Sequence, residues 1–185
     1  MDSALIYQAA NEIVQSTGTR NIKQIALSCN LDITETHRIT DTLGLLSLYF
    51  EKPLVLINSH LNKQTKQMVC GYALGHYLEH RMLTDLHTLK KFLTIKDKHI
   101  ILYEQNAFTS HLMLDSDEVY RMTAQGLNAA QIAHRKRIHL NLVLVKLLEL
   151  HHLGYDLRHY HEQHHAFIEH FKLPRYFRFD SLCEP

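Results

Sequence analysis

Residues 70–80 read Cys-Gly-Tyr-Ala-Leu-Gly-His-Tyr-Leu-Glu-His, within a longer amphipathic pattern over residues 62–83. Apolar residues and histidines recur there at the three- and four-residue spacing that predicts a helix. His76 and His80 lie one turn apart on the same face of that helix. Two histidines at this spacing are typical of helices that bind a metal ion. The chain has 16 histidines in 185 residues, however, so short histidine motifs also arise by chance.

The segments around this helix predict a small sheet among helices. Two short apolar runs, residues 45–50 and 54–58, flank a turn and indicate a β-hairpin. Residues 98–102 are predicted to form a brief edge strand. Helical patterns cover residues 3–17 and 19–30, and also run from Tyr103 almost to Pro174, with breaks near Asp115, Gly126 and Gly154. The predicted fold class is α+β and mostly α-helical.

Composition excludes several classes of protein. Hydrophobic residues make up 45% of the chain, which rules out a disordered chain. Twenty Lys and Arg against 19 Asp and Glu give a formal charge of +1, so no general nucleic-acid coat is expected. Three scattered cysteines favour a reducing compartment. We find no signal peptide, and the most apolar stretch, residues 138–150, is too short for a bilayer span. We therefore expect a cytoplasmic protein with no membrane partner.

Residues 70–80 and two flanking motifs together resemble the ImmA/IrrE metallopeptidase family. The family's zincin helix, H-E-L-G-H-x-x-x-H, aligns on Leu74-Gly75-His76. Residues 54–58 look like the family's apolar strand ending in Asn. Residues 104–114 look like its E-A-N-x-F-A-x-x-L-L-M segment, whose Glu is the third metal ligand and is present as Glu104. The resemblance covers roughly residues 10–155 and implies a zincin-like helix beside a small sheet.

The alignment also shows that two chemical groups are missing. In an H-E-x-x-H helix the two His bind Zn²⁺ and the Glu takes a proton from the metal-bound water. Here Tyr72 stands for the first His and Ala73 for the catalytic Glu. The resemblance therefore implies a degenerate site with no catalytic residue. His76, His80 and Glu104 remain as a vestigial or weak zinc site, and no cofactor is expected.

Two other metal-binding motifs in the sequence keep an active metalloprotease as an alternative hypothesis. Residues 76–80 match the inverted H-x-x-E-H pattern, which would make Glu79 the catalytic residue. That shift moves the site by about 6 Å along the helix, so Glu104 would also have to move. Residues 161–165 read H-E-x-x-H, but the nearest third ligand, Glu169, would lie about 12 Å from His161 on a straight helix. Adventitious metal binding by this histidine-rich tail is the alternative interpretation.

The same residues also have purely structural interpretations. His76 and His80 would then be half-buried helix residues, and Tyr72 and Ala73 would be core packing. Glu104 would be a carboxylate near a helix N-terminus, complementing the helix dipole.

The C-terminal third carries a local basic segment. Residues 121–146 contain five Lys and Arg and no acidic residue. We divide the chain into a zincin-type domain, residues 1–125, and a helical region, residues 126–185. The latter holds a helix-turn-helix-like segment, residues 126–155, followed by a His- and aromatic-rich tail that is expected to pack on the core or form a homo-oligomer contact. Its candidate partner-binding residues are Arg135, Lys136 and Arg137.

Family members from phages and integrative elements act on cognate helix-turn-helix repressors and relieve repression, which links them to lysogeny. The resemblance thus implies a repressor protein as the partner. The leading hypothesis is a non-catalytic anti-repressor. The alternatives are an active zinc metalloprotease that cleaves the repressor, and a DNA-binding regulator that uses residues 126–150.

Overall fold

The computed structural model of the chain describes residues 2–49, 52–81 and 98–157. These residues form helices and a small sheet, in the order α1 (Ser3–Thr17), α2 (Ile22–Ser28), β1 (Asp32–Thr36), β2 (Gly44–Tyr49), β3 (Lys52–Asn58), α3 (Lys63–Arg81), α4 (Lys98–Met113), α5 (Ser116–Ala124), α6 (Ala129–Lys136) and α7 (Leu140–His152). The predicted fold class, α+β and mostly helical, is confirmed.

The sheet has three strands in the order β1-β3-β2. β2 and β3 pair antiparallel, as the predicted hairpin requires, and β1 pairs parallel with β3. The sequence pattern did not reveal β1, since Ile33 is the strand's single large apolar residue. Val55 and Ile57 on β3 are fully buried and join the sheet to the helical core.

The predicted edge strand at residues 98–102 is wrong, because these residues begin α4. A short segment with three consecutive apolar residues, 100–102, fits a strand or a helical turn equally well. Here the run continues into a 16-residue helix, which packs along α1, α3 and α7. The predicted breaks at Asp115, Gly126 and Gly154 are confirmed as the points where α4, α5 and α7 give way to turns.

Local signals set the ends of several helices. The Asp2 carboxylate accepts from the backbone N–H of Ala4 at the start of α1, and Gly18 ends that helix at a φ of 65°. Asn128 and Gln131 form a capping box on α6. Such caps satisfy backbone groups that have no partner within the helix.

A main hydrophobic core joins the helices and the sheet of the described residues, and a smaller cluster of Ile6, Ala107 and Val145 lies between α1, α4 and α7. The main core includes Ile25 from α2, Leu74 from α3, Leu112 from α4 and Leu147 from α7. Both predicted regions, residues 1–125 and 126–185, contribute to this core, and the boundary between them stays a prediction. Among the described residues, no helix is both long and apolar enough to cross a bilayer.

Candidate functional site

The helix with the two histidines packs closely against α4 at two glycines. A Cβ placed on Gly71 would overlap Thr109 Cγ2, and one on Gly75 would lie 3.1 Å from Phe108 Cδ1. Thr109 is fully buried, and its hydroxyl donates to the carbonyl of Gln105 at 2.6 Å. The glycines therefore let the backbones approach, which brings residues 72–76 of α3 beside residues 104–109 of α4.

The side chains at the two altered positions differ in exposure. Ala73 is buried at 7% exposure, and its methyl group belongs to the main hydrophobic core. Tyr72 is partly exposed. Its ring stacks on that of His76, with ring centres 6.3 Å apart and planes 9° apart. A methyl group and a stacked phenol thus occupy the positions that hold the Glu and His of an H-E-x-x-H helix.

The ring of His76 contacts α4 through an amide. Gln105 Nε2 lies 3.3 Å from His76 Nδ1. The amide nitrogen donates in the tautomer that carries the ring proton of His76 on Nε2. In that tautomer a metal would have to displace either this hydrogen bond or that proton. The sequence patterns gave Gln105 no role, because the contact depends on how closely the two helices pack.

Of the three predicted metal ligands, His76 and Glu104 have described side chains, and the ligand set stays a prediction. Glu104 is partly exposed on α4, next to Gln105. It lies in the second turn, since α4 begins at Lys98, so its interpretation as an N-terminal helix carboxylate is wrong. The side chains of α3 are described as far as Leu78, so Glu79 and His80 lie outside them. Within the described part of the chain, no three His, Cys, Asp or Glu form a metal-binding group.

The zinc ion that the family's motif implies does not fit the described side chains. Ala73 supplies no ligand and no base, and the Nδ1 atom of His76 is engaged by Gln105. Tyr72 carries a phenol whose pKa lies near 10 in model compounds, so it is a poor zinc ligand at neutral pH. We derive no chemical step through a metal at this site.

The opposite face of α4 carries buried charges that the sequence analysis did not anticipate. Lys146 on α7 donates to His111 Nδ1 at 2.7 Å and to Ser116 Oγ at 2.9 Å. His111 Nε2 lies 3.2 Å from Glu149 Oε2. These three residues, Lys146, His111 and Glu149, are each 1% exposed or less, and we call them the buried triad. The sequence signal that could have predicted these charges was a Lys and a Glu three residues apart within the apolar run 138–150.

Further hydrogen bonds attach the buried triad to α1 and to the start of α4. Ser3 donates to Glu149 Oε1 at 3.1 Å, and Tyr103 donates to the same oxygen. The ring of Tyr7 packs edge-on against that of His111, with centres 5.2 Å apart. Three helices therefore converge on one carboxylate.

The surroundings shift the pKa of each residue of the buried triad. Burial lowers the pKa of Lys146 to about 7, and the nearby Arg20 guanidinium adds to this effect. Burial also lowers the pKa of His111. At Glu149, burial opposes the charged form, but hydrogen bonds from His111 and Tyr103 outweigh it and hold the pKa at about 2. The arrangement matches a neutral imidazole that accepts from Lys146 and donates to an ionised Glu149.

The three basic residues predicted to bind a partner differ in their exposure and contacts. Arg135 is exposed and lines a shallow groove on α6 together with Gln131 and His134. Lys136 forms an ion pair with Glu118 at 2.6 Å. Arg137 is exposed and ends α6 at a φ of 52°. Of the three, Arg135 is the residue that faces the groove.

The second helix of the helix-turn-helix-like segment is buried. Eight of the thirteen residues of α7 are buried, which agrees with the expectation from its apolar sequence. A recognition helix must present a polar face to the major groove. The packing of α7 therefore does not suit that role. The tail motif at residues 161–165 and the aromatic tail lie outside the described residues.

Comparison with protein-family models gives one match. Residues 20–148 match the model described as the IrrE N-terminal-like domain, peptidase M78. The match includes the α3–α4 contact and most of α7. No curated protein matches the chain at a significant level.

Proposed function

The chain belongs to the IrrE N-terminal-like family of M78 peptidases, and on that premise we propose that it is a non-catalytic regulator. It binds a cognate helix-turn-helix repressor of a phage or mobile element and relieves repression without cleaving it. The observation that carries this proposal is Ala73, a buried methyl group at the position of the general base.

The scaffold around Ala73 supports binding without catalysis. Gly71 and Gly75 keep α3 and α4 in close contact, and Gln105 holds the ring of His76. None of these contacts needs a metal ion. A protein that keeps its packed core after losing its reactive groups retains the surface by which it recognises a partner.

The basic end of α6 is our choice for the docking surface. Arg135 and His134 are exposed on the α6 groove, and the segment 121–146 carries no acidic residue. An exposed guanidinium forms bidentate hydrogen bonds with carboxylates of a protein partner. We therefore place an acidic patch of the repressor against Arg135.

A binding experiment with the helix-turn-helix repressor encoded beside this gene tests the proposal. Full-length protein and repressor are mixed, separated by size-exclusion chromatography, and weighed by intact mass spectrometry. We expect a stable complex that contains uncleaved repressor and does not change with EDTA. Cleavage of the repressor that EDTA blocks would contradict the proposal and support the metalloprotease alternative with His76, Glu79, His80 and Glu104.

A charge reversal tests the docking surface. Arg135→Glu is expected to weaken the complex at least tenfold, because it places like charges at the contact. Arg38→Glu is the matched control, since Arg38 is exposed on the loop after β1. An equal loss in both variants would show that net charge matters and not the α6 groove. Binding of the same protein to duplex DNA, with a steep salt dependence and sequence preference, would instead favour the DNA-binding alternative.

A further inference from the structure

A second pair of histidines lies where the two parallel strands end. His37 follows β1 and His60 follows β3, and both side chains are exposed. We propose that His37 and His60 together bind a borderline divalent transition-metal ion of the Zn²⁺, Ni²⁺ or Cu²⁺ type. Imidazole is a preferred ligand for these ions.

Hydrogen bonds fix the backbone on both sides of this pair. Thr36 and Asn58 are the last partners in the parallel register. The N–H of Ser59 then donates to the carbonyl of Thr36 at 3.0 Å. The N–H of His60 donates to Oδ1 of Asn58 at 2.9 Å, and Asn58 is itself buried at 5% exposure. The two histidines therefore project from backbone positions that are already held together.

The distance between the rings suits shared coordination. Their centres lie 5.5 Å apart, and their planes are inclined by 64°. A metal bound at 2.0–2.1 Å from an imidazole nitrogen lies about 3.2 Å from the ring centre. Two such rings at a tetrahedral angle have centres about 5.2 Å apart. The observed distance between the ring centres is within a few tenths of an ångström of this value, so the two rings lie close enough to share one ion.

Ser59 orients one of the two ligands. Its Oγ lies 2.6 Å from His37 Nδ1. In the tautomer that carries its proton on Nδ1, His37 donates to Ser59 and keeps the lone pair of Nε2 for a metal. Metal-binding histidines commonly have such a partner at the second ring nitrogen.

This pair is separate from the histidines of α3. His60 precedes α3, and His76 lies 13 residues after Lys63, the first residue of that helix, or about 20 Å along its axis. No third His, Cys, Asp or Glu of the described residues joins the pair in a metal-binding group. Water would complete the coordination, so the bound ion would exchange readily and would remain open to a further ligand.

Thermal unfolding with added NiCl₂ tests the site, because an ion that binds the folded chain raises Tm by mass action. The experiment uses full-length protein in which the tail histidines are replaced by Gln, so that the tail does not bind the ion; they are His159, His161, His164, His165 and His170. We expect Tm to rise with Ni²⁺ concentration, by roughly 3–6 °C when the free ion is at about ten times its Kd. His37→Gln and His60→Gln should each abolish the rise. His134→Gln, the matched control on α6, should keep it.

A site-resolved measurement covers the case in which a variant fails to fold. Substoichiometric Cu²⁺ added to the same tail-substituted protein should broaden the imidazole ¹H–¹⁵N signals of both His37 and His60 selectively, and EDTA should restore them. An unchanged Ni²⁺-dependent rise of Tm in His37→Gln and His60→Gln would overturn the proposal. Broadening of the α3 histidines alone would also overturn it, and would show that the contact between the two rings is edge-to-face packing.

Discussion

The two faces of α4 have opposite character. Toward α3, the helix presents Gln105, Phe108 and Thr109 to two glycines and a histidine. Toward α1 and α7, it presents Tyr103 and His111 to buried charged groups. The face toward α3, which aligns with the family's motif, is a close packing contact. The face with the shifted pKa values joins α4 to α1 and α7, and structural ion-pair networks shift pKa values in the same way as catalytic sites do.

The largest expected loss of unfolding free energy follows from replacing Glu149. Glu149→Ala removes the acceptor shared by Ser3, Tyr103 and His111, and leaves the buried Lys146 without a balancing charge. Breaking a buried pair in this way costs about 3–5 kcal/mol of unfolding free energy. Chemical denaturation measures the change. Glu12→Ala, at an exposed site on α1, should stay within about 0.5 kcal/mol of the parent, and a similar value for Glu149→Ala would refute the role of the buried triad.

A pH series measures the charge on Lys146. Its pKa is about 7 in the folded chain, against 10.5 for an unperturbed lysine. Between these values the unfolded chain binds more protons, so the unfolding free energy should rise with pH, by up to about 1.4 kcal/mol per pH unit. Lys146→Met should remove this rise. A parent and a variant with parallel profiles between pH 7 and 10 would show that Lys146 titrates normally.

Glu149 should make the unfolding free energy depend on pH in acid. Its pKa of about 2 in the folded chain lies below the ordinary glutamate value of 4.5. The carboxylate therefore stabilises the fold above pH 4.5, and this contribution should be lost as the pH falls from 4.5 toward 2. Lys146→Met retains Glu149 and should keep the acid limb of the profile.

The packing face of α4 should respond to added volume. Gly71→Ala places a methyl group against Thr109 Cγ2, and overpacking of this kind costs about 1–3 kcal/mol of unfolding free energy. Thr109→Ser removes Cγ2 and keeps the hydroxyl bonded to Gln105, so the double variant should recover part of the loss. Gly126→Ala has nothing within 4 Å of the added methyl and separates backbone strain from overlap. No recovery in the double variant would contradict the close α3–α4 contact.

The smallest expected effect, a gain in zinc affinity, should follow from restoring the family's motif. Tyr72→His combined with Ala73→Glu reintroduces a ligand and a base, and Glu at a buried position destabilises the metal-free chain. Zinc should then bind at least tenfold more tightly than to the parent, or about 1.4 kcal/mol, and should restore Tm. Isothermal titration in the tail-substituted protein measures the affinity. Unchanged zinc affinity would mean that Tyr72 and Ala73 are not in the family's register.

The sequence predicted the elements whose defining residues lie close together along the chain. The β2–β3 hairpin has its two apolar runs and its turn within fourteen residues, and residues 62–83 showed the helical spacing of α3. β1 was missed because it pairs with a strand about twenty residues away and contains little apolar surface of its own. The error at residues 98–102 had a similar cause, since they belong to α4, and this helix packs on α1 and α7, which are distant in sequence.

The candidate site was predictable in its alignment but not in its contacts. Ala73 could be placed from the motif, and its burial followed from the helical pattern. The hydrogen bond between Gln105 and His76 joins residues 29 positions apart, and the buried triad joins residues 35 and 38 positions apart. A one-dimensional pattern gives no distance between such residues until the helices are packed.

The hydrogen bond from Ser3 to Glu149 constrains how the chain folds during synthesis. The two residues are 146 positions apart, so α1 leaves the ribosome about 7–30 s before its polar anchor is made, at typical elongation rates. In that interval the inward face of α1, with Ile6 and Ala10, has no complete partner surface. The apolar face of α1 therefore stays incompletely covered for several seconds, until α7 has been synthesised.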